Sequence, residues 1–364
     1  MKISEIQKII ENFAPTALQE DYDNVGLVTG NSNLEVKGIL ICVDVTEEII
    51  EEALSKNCNL IISHHPVIFS GLKKLTGNHY SERIILKALK NDIAIYSAHT
   101  NIDSVKNGVS FALARVIGLN QVQVLRPMKG ILRKIVTFVP GSHEQKVREA
   151  LFEAGAGHLG DYDSCSYNIK GTGTFRGLEG TNPFLGEKGN LSLEEETRIE
   201  TIFPAYLSGK IVNALLESHP YEEVAYDIYP LENVHVNAGM GAIGVLEAPV
   251  IDEDFLLHVK DKLNAGVIRH TRLTGKRVQK VAVCGGSGIS LLKDAIAAEA
   301  DLFLTGDIKY HQFFDADNRV ILADAGHYET EQFTKNIFFN MITKKMPNFA
   351  VYLSEINSNP INYL

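Results

Sequence analysis

Histidine and carboxylate side chains are concentrated in four short segments of this 364-residue sequence. The segments are residues 63–66 (SHHP), 99–103 (HTNID), 305–307 (TGD) and 324–331 (DAGHYETE). Neutral imidazole and carboxylate groups are common protein ligands of divalent ions such as zinc, iron and manganese. The sequence therefore contains the ligands of a metal centre, provided that the fold brings distant segments together.

Each of these segments closely follows a short apolar run that is typical of a buried strand. The runs lie at 60–62, 93–96, 302–304 and 320–322, and similar runs lie at 39–43 and 281–283. Helical stretches separate them; one has Thr46 as a suitable N-cap before two acidic residues. This alternation predicts an α/β fold with parallel strands. Ligands bind at the carboxyl ends of such strands, so the four segments are expected to converge.

We assign the metal ligands to His64, His65, Asp103, His327 and Glu331. His327 and Glu331 are four residues apart, so they share one face of a helix that begins at the preceding glycine. The proline after the histidine pair favours an extended or turning backbone, from which both rings can reach one side. Asp103 is placed to bridge two ions. Five ligands shared between two metals about 3.5–4 Å apart would leave coordination positions open.

Each of these residues also has a structural explanation when it is considered alone. Asp103 could cap a helix predicted at 107–117, and Glu331 could be a solvated acid at the start of a last helix predicted at 331–344. His327 could simply lie near a helix N-terminus. The occurrence of all five residues at strand ends favours the metal site over these separate explanations.

Other residues are candidates for roles around the metal. His99 is assigned to proton transfer, although it could instead orient a ligand or make a structural hydrogen bond. Cys284-Gly285-Gly286-Ser287-Gly288 follows a strand and opens a helix, so it is either a phosphate cradle or a tight turn. Four residues could touch a substrate or belong to a capped surface helix: Asp307, Lys309, Tyr310 and His311.

The middle of the chain has a different pattern. Strands of mixed polarity at 134–138 and 200–204 are each followed by a helical stretch, near 144–153 and 209–218. A glycine-rich stretch at 171–189 is predicted to be a long loop or a hairpin. The order of elements suits a ferredoxin-like α+β domain. We therefore predict a discontinuous α/β metal-binding domain, 1–128 and 234–364, with an inserted domain at 129–233.

The composition excludes several classes of protein. The formal net charge is −10, which argues against broad nucleic-acid binding because that requires a basic face. The four cysteines are far apart and form no CxxC, as expected for reduced thiols in the cytosol. We find no signal-peptide core and no apolar run long enough to span a bilayer. A cytoplasmic protein without a membrane partner is predicted.

Five motifs resemble, in the same order, those of the Nif-three-like family, whose members are also called GTP cyclohydrolase I type 2 homologs. The motifs lie at 23–27 (DNVGL), 63–66, 99–103, 305–311 and 324–331. The middle segment resembles the P-II/CutA-like insert of the longer bacterial members. The resemblance implies a fold of two related α/β lobes, a dinuclear site on the five assigned ligands, and a toroidal homohexamer built as a trimer of dimers. Asp307 stands where many members carry glutamate, so its role is open.

The functional hypothesis is a metal-dependent hydrolase that acts on a nucleotide, as a GTP cyclohydrolase does, or on a related phosphorylated compound. Two divalent ions per chain are expected, and the ligand set admits zinc, iron, manganese or nickel. One alternative is a non-catalytic protein that binds or delivers metal. A second is a hexameric regulatory scaffold whose inserted domain senses a small molecule.

Overall fold

The structure is a computed structural model that describes all 364 residues. The chain divides into two compact units. The first unit combines Met1–Arg126 with Asn237–Leu364, and the second is Pro127–Val236. Helices and strands alternate along both halves of the first unit, which confirms the predicted α/β class. No helix in the structure has both the length and the apolar character needed to cross a bilayer.

The chain forms fifteen strands and eleven α-helices. The strands are β1 (Gly26–Thr29), β2 (Ile39–Cys42), β3 (Leu60–Ser63), β4 (Ala94–Ser97), β5 (Asn120–Met128), β6 (Leu132–Pro140), β7 (Tyr167–Arg176), β8 (Leu191–Pro204), β9 (Tyr226–Pro230), β10 (His235–Ile251), β11 (Arg269–His270), β12 (Arg277–Val283), β13 (Leu302–Thr305), β14 (Ile321–Asp324) and β15 (Val351–Leu353). The helices are α1 (Ile3–Phe13), α2 (Glu47–Ser55), α3 (Tyr80–Lys90), α4 (Thr100–Asp103), α5 (Val109–Val116), α6 (Glu144–Glu153), α7 (Ser208–Ser218), α8 (Asp252–Lys262), α9 (Leu292–Ala297), α10 (His327–Glu331) and α11 (Thr334–Lys345).

The first sheet of the first unit has the strand order β1-β4-β3-β2-β15. Strands β15, β2, β3 and β4 are parallel, and β1 is antiparallel to β4. Every residue of β2, β3 and β4 is buried, as expected for parallel strands covered on both faces. Leu40, Ile61 and Ile95 form one core with apolar residues of α2 and α3. The carboxyl ends of β3 and β4 are therefore held side by side.

The second sheet of the first unit has the order β11-β14-β13-β12-β10-β5. Strands β12, β13 and β14 are parallel, and β10 and β11 are antiparallel to their neighbours β12 and β14. Val281, Leu302 and Leu304 pack with apolar residues of α5 and α8. Phe303 and Leu322 point to the opposite face, where they pack with α9. This arrangement again aligns the carboxyl ends of three strands.

The second unit is built around an antiparallel sheet with the order β7-β8-β6-β9. Its elements follow one another as strand, helix, strand, strand, helix, strand. Ile135 and Ile199 share a core with apolar residues of α6 and α7, so both helices lie on one face of the sheet. The stretch predicted as a loop or hairpin is a hairpin, because β7 extends to Arg176 and pairs with β8.

Two predicted helices have different limits in the structure. The helix predicted at 331–344 begins at Thr334 instead, because Glu331 is the last residue of the separate helix α10 and residues 332–333 form a turn. The helix predicted at 107–117 begins at Val109 instead. Asn107 has φ of 69°, a left-handed conformation that cannot continue a right-handed helix. Asp103 is therefore not the cap of this helix and belongs to the separate helix α4.

Candidate metal centre

The histidine pair follows β3 at the carboxyl end of the first sheet. The N–H groups of His64 and His65 both donate to the carbonyl of Val43, at 3.1 and 3.0 Å. Two successive N–H groups do not share one acceptor in a regular strand, so the strand geometry ends here. The two rings consequently lie 4.8 Å apart instead of pointing to opposite faces. The side chain of His64 is fully buried, whereas the side chain of His65 is 18% exposed.

Both rings are held through Nδ1. His64 Nδ1 lies 3.0 Å from the carbonyl oxygen of Ala98. Because a carbonyl only accepts, this contact assigns the proton to Nδ1 and leaves a lone pair on Nε2. His65 Nδ1 lies 2.7 Å from Asp44 Oδ1, so Nδ1 is the donor to this carboxylate and Nε2 faces Glu331. Metal-binding histidines are commonly oriented by such hydrogen bonds, which leave Nε2 as the ligand atom.

His327 and His99 are anchored in the same way. His327 begins α10 directly after Gly326, and its Nδ1 lies 2.7 Å from Asp307 Oδ2. Asp307 follows β13 and has φ of 56°, a left-handed conformation that turns the chain toward α10. His99 Nδ1 lies 2.8 Å from Asp23 Oδ1. All four histidines are thus fixed at Nδ1 by an acceptor from another part of the first unit.

Three ligand atoms form a compact triangle at the ends of β3 and β14. His65 Nε2 and His327 Nε2 are 3.2 Å apart, and each lies 3.0 Å from Glu331 Oε2. Despite these distances, Glu331 Oε2 makes no contact with hydrogen-bond geometry. Ligands about 2.0–2.2 Å from a tetrahedral ion lie about 3.3–3.6 Å apart, so the triangle is slightly compact for a cation but close to the required size. These three residues could hold a metal ion.

The other carboxylate oxygen of Glu331 faces a second group of ligand atoms. Glu331 Oε1 lies 3.6 Å from His64 Nε2, which lies 3.8 Å from Asp103 Oδ1. His64 Nε2 and Asp103 Oδ1 are buried and have no hydrogen-bond partner. Burying polar atoms without partners costs free energy, so their convergence is unfavourable unless a cation binds them. Glu331 thus stands between two groups of ligand atoms, one on each of its oxygens.

The electrostatics of the cluster favour bound positive charge. Burial and, to a smaller extent, the charge of Glu331 raise the pKa of Asp103 to about 7. Burial would also raise the pKa of Glu331, but the adjacent histidines outweigh it and hold that pKa well below its usual value. Burial would lower the pKa of His65 and His327, yet their bonds to carboxylates raise these values to about 9 and about 11. Metal binding would replace these protons with a cation.

The glycine-rich segment after β12 lets Glu331 approach. A Cβ on Gly286 would lie 2.1 Å from Glu331 Oε1. The N–H groups of Gly286 and Gly288 donate to the hydroxyls of Thr330 and Thr305, at 2.9 and 2.8 Å. These two amides are therefore used within the fold, which favours a tight turn over a phosphate cradle.

A cavity of 420 Å³ opens onto the ligand atoms. This volume lies within the range of about 300–1,000 Å³ that is typical of small-molecule sites. Three aromatic rings on its rim, those of Tyr22, Phe69 and Tyr80, are each more than half exposed. The ring of His99 also lines the cavity and lies 5.4 Å from that of Phe69. The cavity can therefore admit a ligand with a flat, partly apolar group.

The structure brings all the predicted ligands to this cluster: His64, His65, Asp103, His327 and Glu331. His99 joins them, since one ring nitrogen each of His64, His65 and His99 lies within 4.8 Å of the others. It could therefore also hold a metal, a role that differs from its predicted one. Asp307 reaches His327, whereas the exposed residues Lys309, Tyr310 and His311 do not line the cavity.

Sequence reasoning gave no role to two carboxylates that orient histidines, Asp44 and Asp23. Asp44 bonds to His65 and comes two residues after β2. The strand-end rule that selected the other ligands would have found it. Asp23 bonds to His99 from a loop before β1. It is the first residue of the DNVGL motif, which was matched without a role for this carboxylate.

Comparisons with known proteins match the full length of the chain. A family model described as Duf34/NIF3 (NGG1p interacting factor 3) matches residues 1–360. The chain is 39% identical over 365 residues to the "GTP cyclohydrolase 1 type 2 homolog" of Bacillus subtilis (strain 168), covering 99% of this chain and 98% of the relative. It matches the crystal structure of a Bacillus cereus protein related to NIF3 with a TM-score of 0.88 and 39% identity, over 100% and 99% of the two chains. A Staphylococcus aureus protein, SA1388, matches with a TM-score of 0.79 and 30% identity, over 100% of this chain and 99% of that one.

Proposed function

The chain belongs to the Duf34/NIF3 family, as its motifs predicted, and on this premise we propose that it is a dinuclear metal-dependent hydrolase acting on a nucleotide or a related phosphorylated compound. The observation that carries the proposal is the set of buried ligand atoms without partners, His64 Nε2, Asp103 Oδ1 and Glu331 Oε2. The Bacillus subtilis relative is named as a homolog of a GTP cyclohydrolase, and we take a nucleotide substrate from this name as a hypothesis.

The ligand atoms divide into two half-sites. His65 and His327 belong to one, His64 and Asp103 to the other, and Glu331 contributes one oxygen to each. In this assignment Glu331 is the bridging ligand, whereas the sequence had suggested Asp103. Divalent ions held there would supply Lewis acidity that polarises water and substrate oxygens. Imidazole and carboxylate ligation admits zinc, iron, manganese or nickel.

Residues around the ligands would bind the substrate and move protons. The exposed rings of Tyr22, Phe69 and Tyr80 would contact a flat group such as a base. His99 would exchange a proton with the substrate at Nε2, since Asp23 holds its Nδ1 and fixes the orientation of the ring. The side chain of His99 is 12% exposed, which keeps bulk water largely away from this proton.

The test is a combined measurement of metal content and turnover. We would load the purified protein with zinc or manganese and assay GTP, other nucleotides and phosphodiesters. Wild type should hold two ions per chain and turn over at least one substrate, whereas His64→Ala and Glu331→Ala should lose metal and activity. His311→Ala, at an exposed histidine outside the cavity, should match wild type.

The outcomes separate the two parts of the proposal. Fewer than two ions per chain after full loading would contradict the dinuclear assignment. Two bound ions without turnover of any substrate would contradict the hydrolase and favour metal binding or delivery. His99→Asn should keep both ions and lose turnover; a loss of metal in this variant would make His99 a ligand instead.

The oligomeric state is a separate proposal that rests on the family resemblance alone. A homohexamer of the 40.2 kDa chain, arranged as a trimer of dimers, is expected. Light scattering of the purified protein would measure its mass directly, and a monomer or dimer at micromolar concentration would contradict the hexamer.

A further inference from the structure

The residues after β15 leave the first sheet at the same end as the histidine pair. β15 runs parallel to β2, with Val351 opposite Ile39 and Leu353 opposite Ile41. Parallel strands of one sheet share their carboxyl edge, and the metal centre lies at this edge. We call residues 354–359, which follow β15, the C-terminal strap.

The beginning of the C-terminal strap is fixed to the first sheet and to α2. The N–H of Ser354 donates to the carbonyl of Ile41 at 2.8 Å. The hydroxyl of Ser354 and the N–H of Glu355 donate to the two oxygens of Glu52, at 2.5 and 3.0 Å. Ile356 packs against the core that β2 and β3 share with α2 and α3. The strap is therefore an ordered part of the first unit.

The end of the C-terminal strap reaches two carboxylates beside the metal centre. The hydroxyl of Ser358 donates to Asp44 Oδ2 at 2.8 Å, and the side-chain amide of Asn359 donates to Glu329 Oε1 at 3.1 Å. Asp44 orients His65, and Glu329 belongs to α10, the helix that carries the other two ligands of the same half-site. The strap therefore connects both sides of this half-site.

The bond from Ser358 restricts a side chain that would otherwise rotate. The final torsion of an aspartate has broad minima, so one hydrogen bond fixes the plane of its carboxylate poorly. Asp44 Oδ1 accepts from His65 Nδ1 at 2.7 Å, and Ser358 occupies the other oxygen. The side chain of Asp44 is 34% exposed, so water competes for Oδ2 when the serine hydroxyl is removed. The ring of His65 then loses a fixed acceptor at Nδ1.

The other half-site has no such connection. His64 Nδ1 is held by the carbonyl oxygen of Ala98, which is part of the backbone. The side-chain hydrogen bonds of the strap go to Glu52, Asp44 and Glu329 and not to His64 or Asp103. A change in the strap should therefore affect one half-site and spare the other.

We propose that Ser358 is a positioning residue of the metal centre. It holds the carboxylate of Asp44 and, through this carboxylate, the ring of His65. The consequence for metal binding rests on the proposed function: Ser358 strengthens the binding of the ion beside His65 and His327 and has no effect on the ion beside His64.

Competition between the full-length protein and a chromophoric chelator for zinc tests this consequence. Ser358→Ala should weaken one of the two ions about tenfold, the lower end of the range for groups that orient ligands, because Ser358 acts through a second residue. Ser354→Ala is the matched control. It also removes a serine hydroxyl that donates to a carboxylate, but Glu52 pairs with Lys56 and not with a histidine. This variant should keep both zinc affinities, and both variants should lose similar stability in urea.

A double-mutant cycle shows whether Ser358 acts through Asp44. Asp44→Ala removes the acceptor of both bonds and should weaken the same ion. Ser358→Ala should add no further loss in the Asp44→Ala background, because residues that act through one contact are not additive. Additive losses would overturn the proposed role.

Crystal structures of the metal-free serine variants separate this inference from the proposed function. In Ser358→Ala the carboxylate of Asp44 and the ring of His65 should move, whereas in Ser354→Ala both should stay as in the wild type. Unchanged positions in Ser358→Ala would overturn the inference, as would equal zinc affinities in the two serine variants. A wild type that binds no zinc, together with a displaced His65 in Ser358→Ala, would contradict the proposed function and leave the positioning role supported.

Discussion

Replacement of Gly286 by alanine should disturb the metal centre while leaving the surrounding fold in place. The added Cβ would lie 2.1 Å from Glu331 Oε1 and 3.2 Å from His327 Cε1. Real Cβ contacts are not shorter than 3.0 Å, so the carboxylate oxygen must move by roughly 1 Å. Since Oε1 is the end of a flexible side chain, Glu331 moves and the backbone does not. A shift of this size displaces the ligand that faces both half-sites.

The substitution Gly286→Ala should have two separate effects, a loss of stability and a loss of metal affinity. Gly286 has φ of 59°, and a left-handed conformation costs an alanine about 1–2 kcal/mol. Gly275 has φ of 71° and open space around its Cβ, so Gly275→Ala carries the same backbone cost without the clash. Both variants should therefore lose about 1–2 kcal/mol in the free energy of unfolding of the metal-free protein. Only Gly286→Ala should also lose metal affinity, by about 10–100-fold, the range seen when the groups that orient ligands are altered.

Two assays measure these parts independently. Urea unfolding of the metal-free variants gives the free energy of unfolding, and competition with a chromophoric chelator gives the zinc affinity. Equal zinc affinities in Gly286→Ala and Gly275→Ala would refute the argument that this turn positions Glu331 for metal binding.

Three further predictions concern other parts of the first unit. Asp307→Asn should lower zinc affinity about 10–100-fold in chelator competition, because Asp307 orients a ligand histidine; an unchanged affinity, equal to that of the exposed control Asp315→Asn, would contradict this. Glu82→Gln should flatten the pH dependence of stability. In the wild type, hydrogen bonds from the preceding loop lower the pKa of Glu82, so its contribution is present above the unfolded pKa of about 4.3 and is lost as the pH falls below it. The check is urea unfolding at several pH values. If the free energy of unfolding falls by the same amount in wild type and variant between about pH 6 and about pH 3, this reasoning is wrong. Gly108→Ala should lower the free energy of unfolding by about 3 kcal/mol or more, because the new Cβ would lie 1.9 Å from the backbone oxygen of Ile102. A melting temperature near that of wild type would contradict this prediction.

The strands that position the site could be predicted because they are buried on both faces. Parallel strands covered by helices read as continuous apolar runs, and β2, β3, β4, β12, β13 and β14 were all found in this way. Strands β1 and β10 lack a continuous apolar run. β1 is only half-buried beyond Gly26, and β10 contains glycines and exposed residues, so neither has the apolar continuity of a central strand. Their positions depend on pairing with distant strands.

The convergence of the candidate ligand residues could be predicted, but the position of Glu331 between two groups of ligand atoms could not. Strand-end placement depends only on local pattern, and it selected His64, His65 and His327. The separate contacts of the two oxygens of Glu331 depend on side-chain orientation across elements that lie far apart in the sequence. The role of Asp307 was open for the same reason, because its contact with His327 arises from the left-handed backbone after β13.

In the proposed metal centre, the two oxygens of Glu331 would each face a different ion. An anomalous difference map, recorded at the zinc absorption edge from crystals of the zinc-loaded protein, tests it most directly. We expect two peaks about 3.5–4 Å apart, one beside His65 and His327 and the other beside His64 and Asp103. A single peak, or two peaks on the same side of the Glu331 carboxylate, would contradict it.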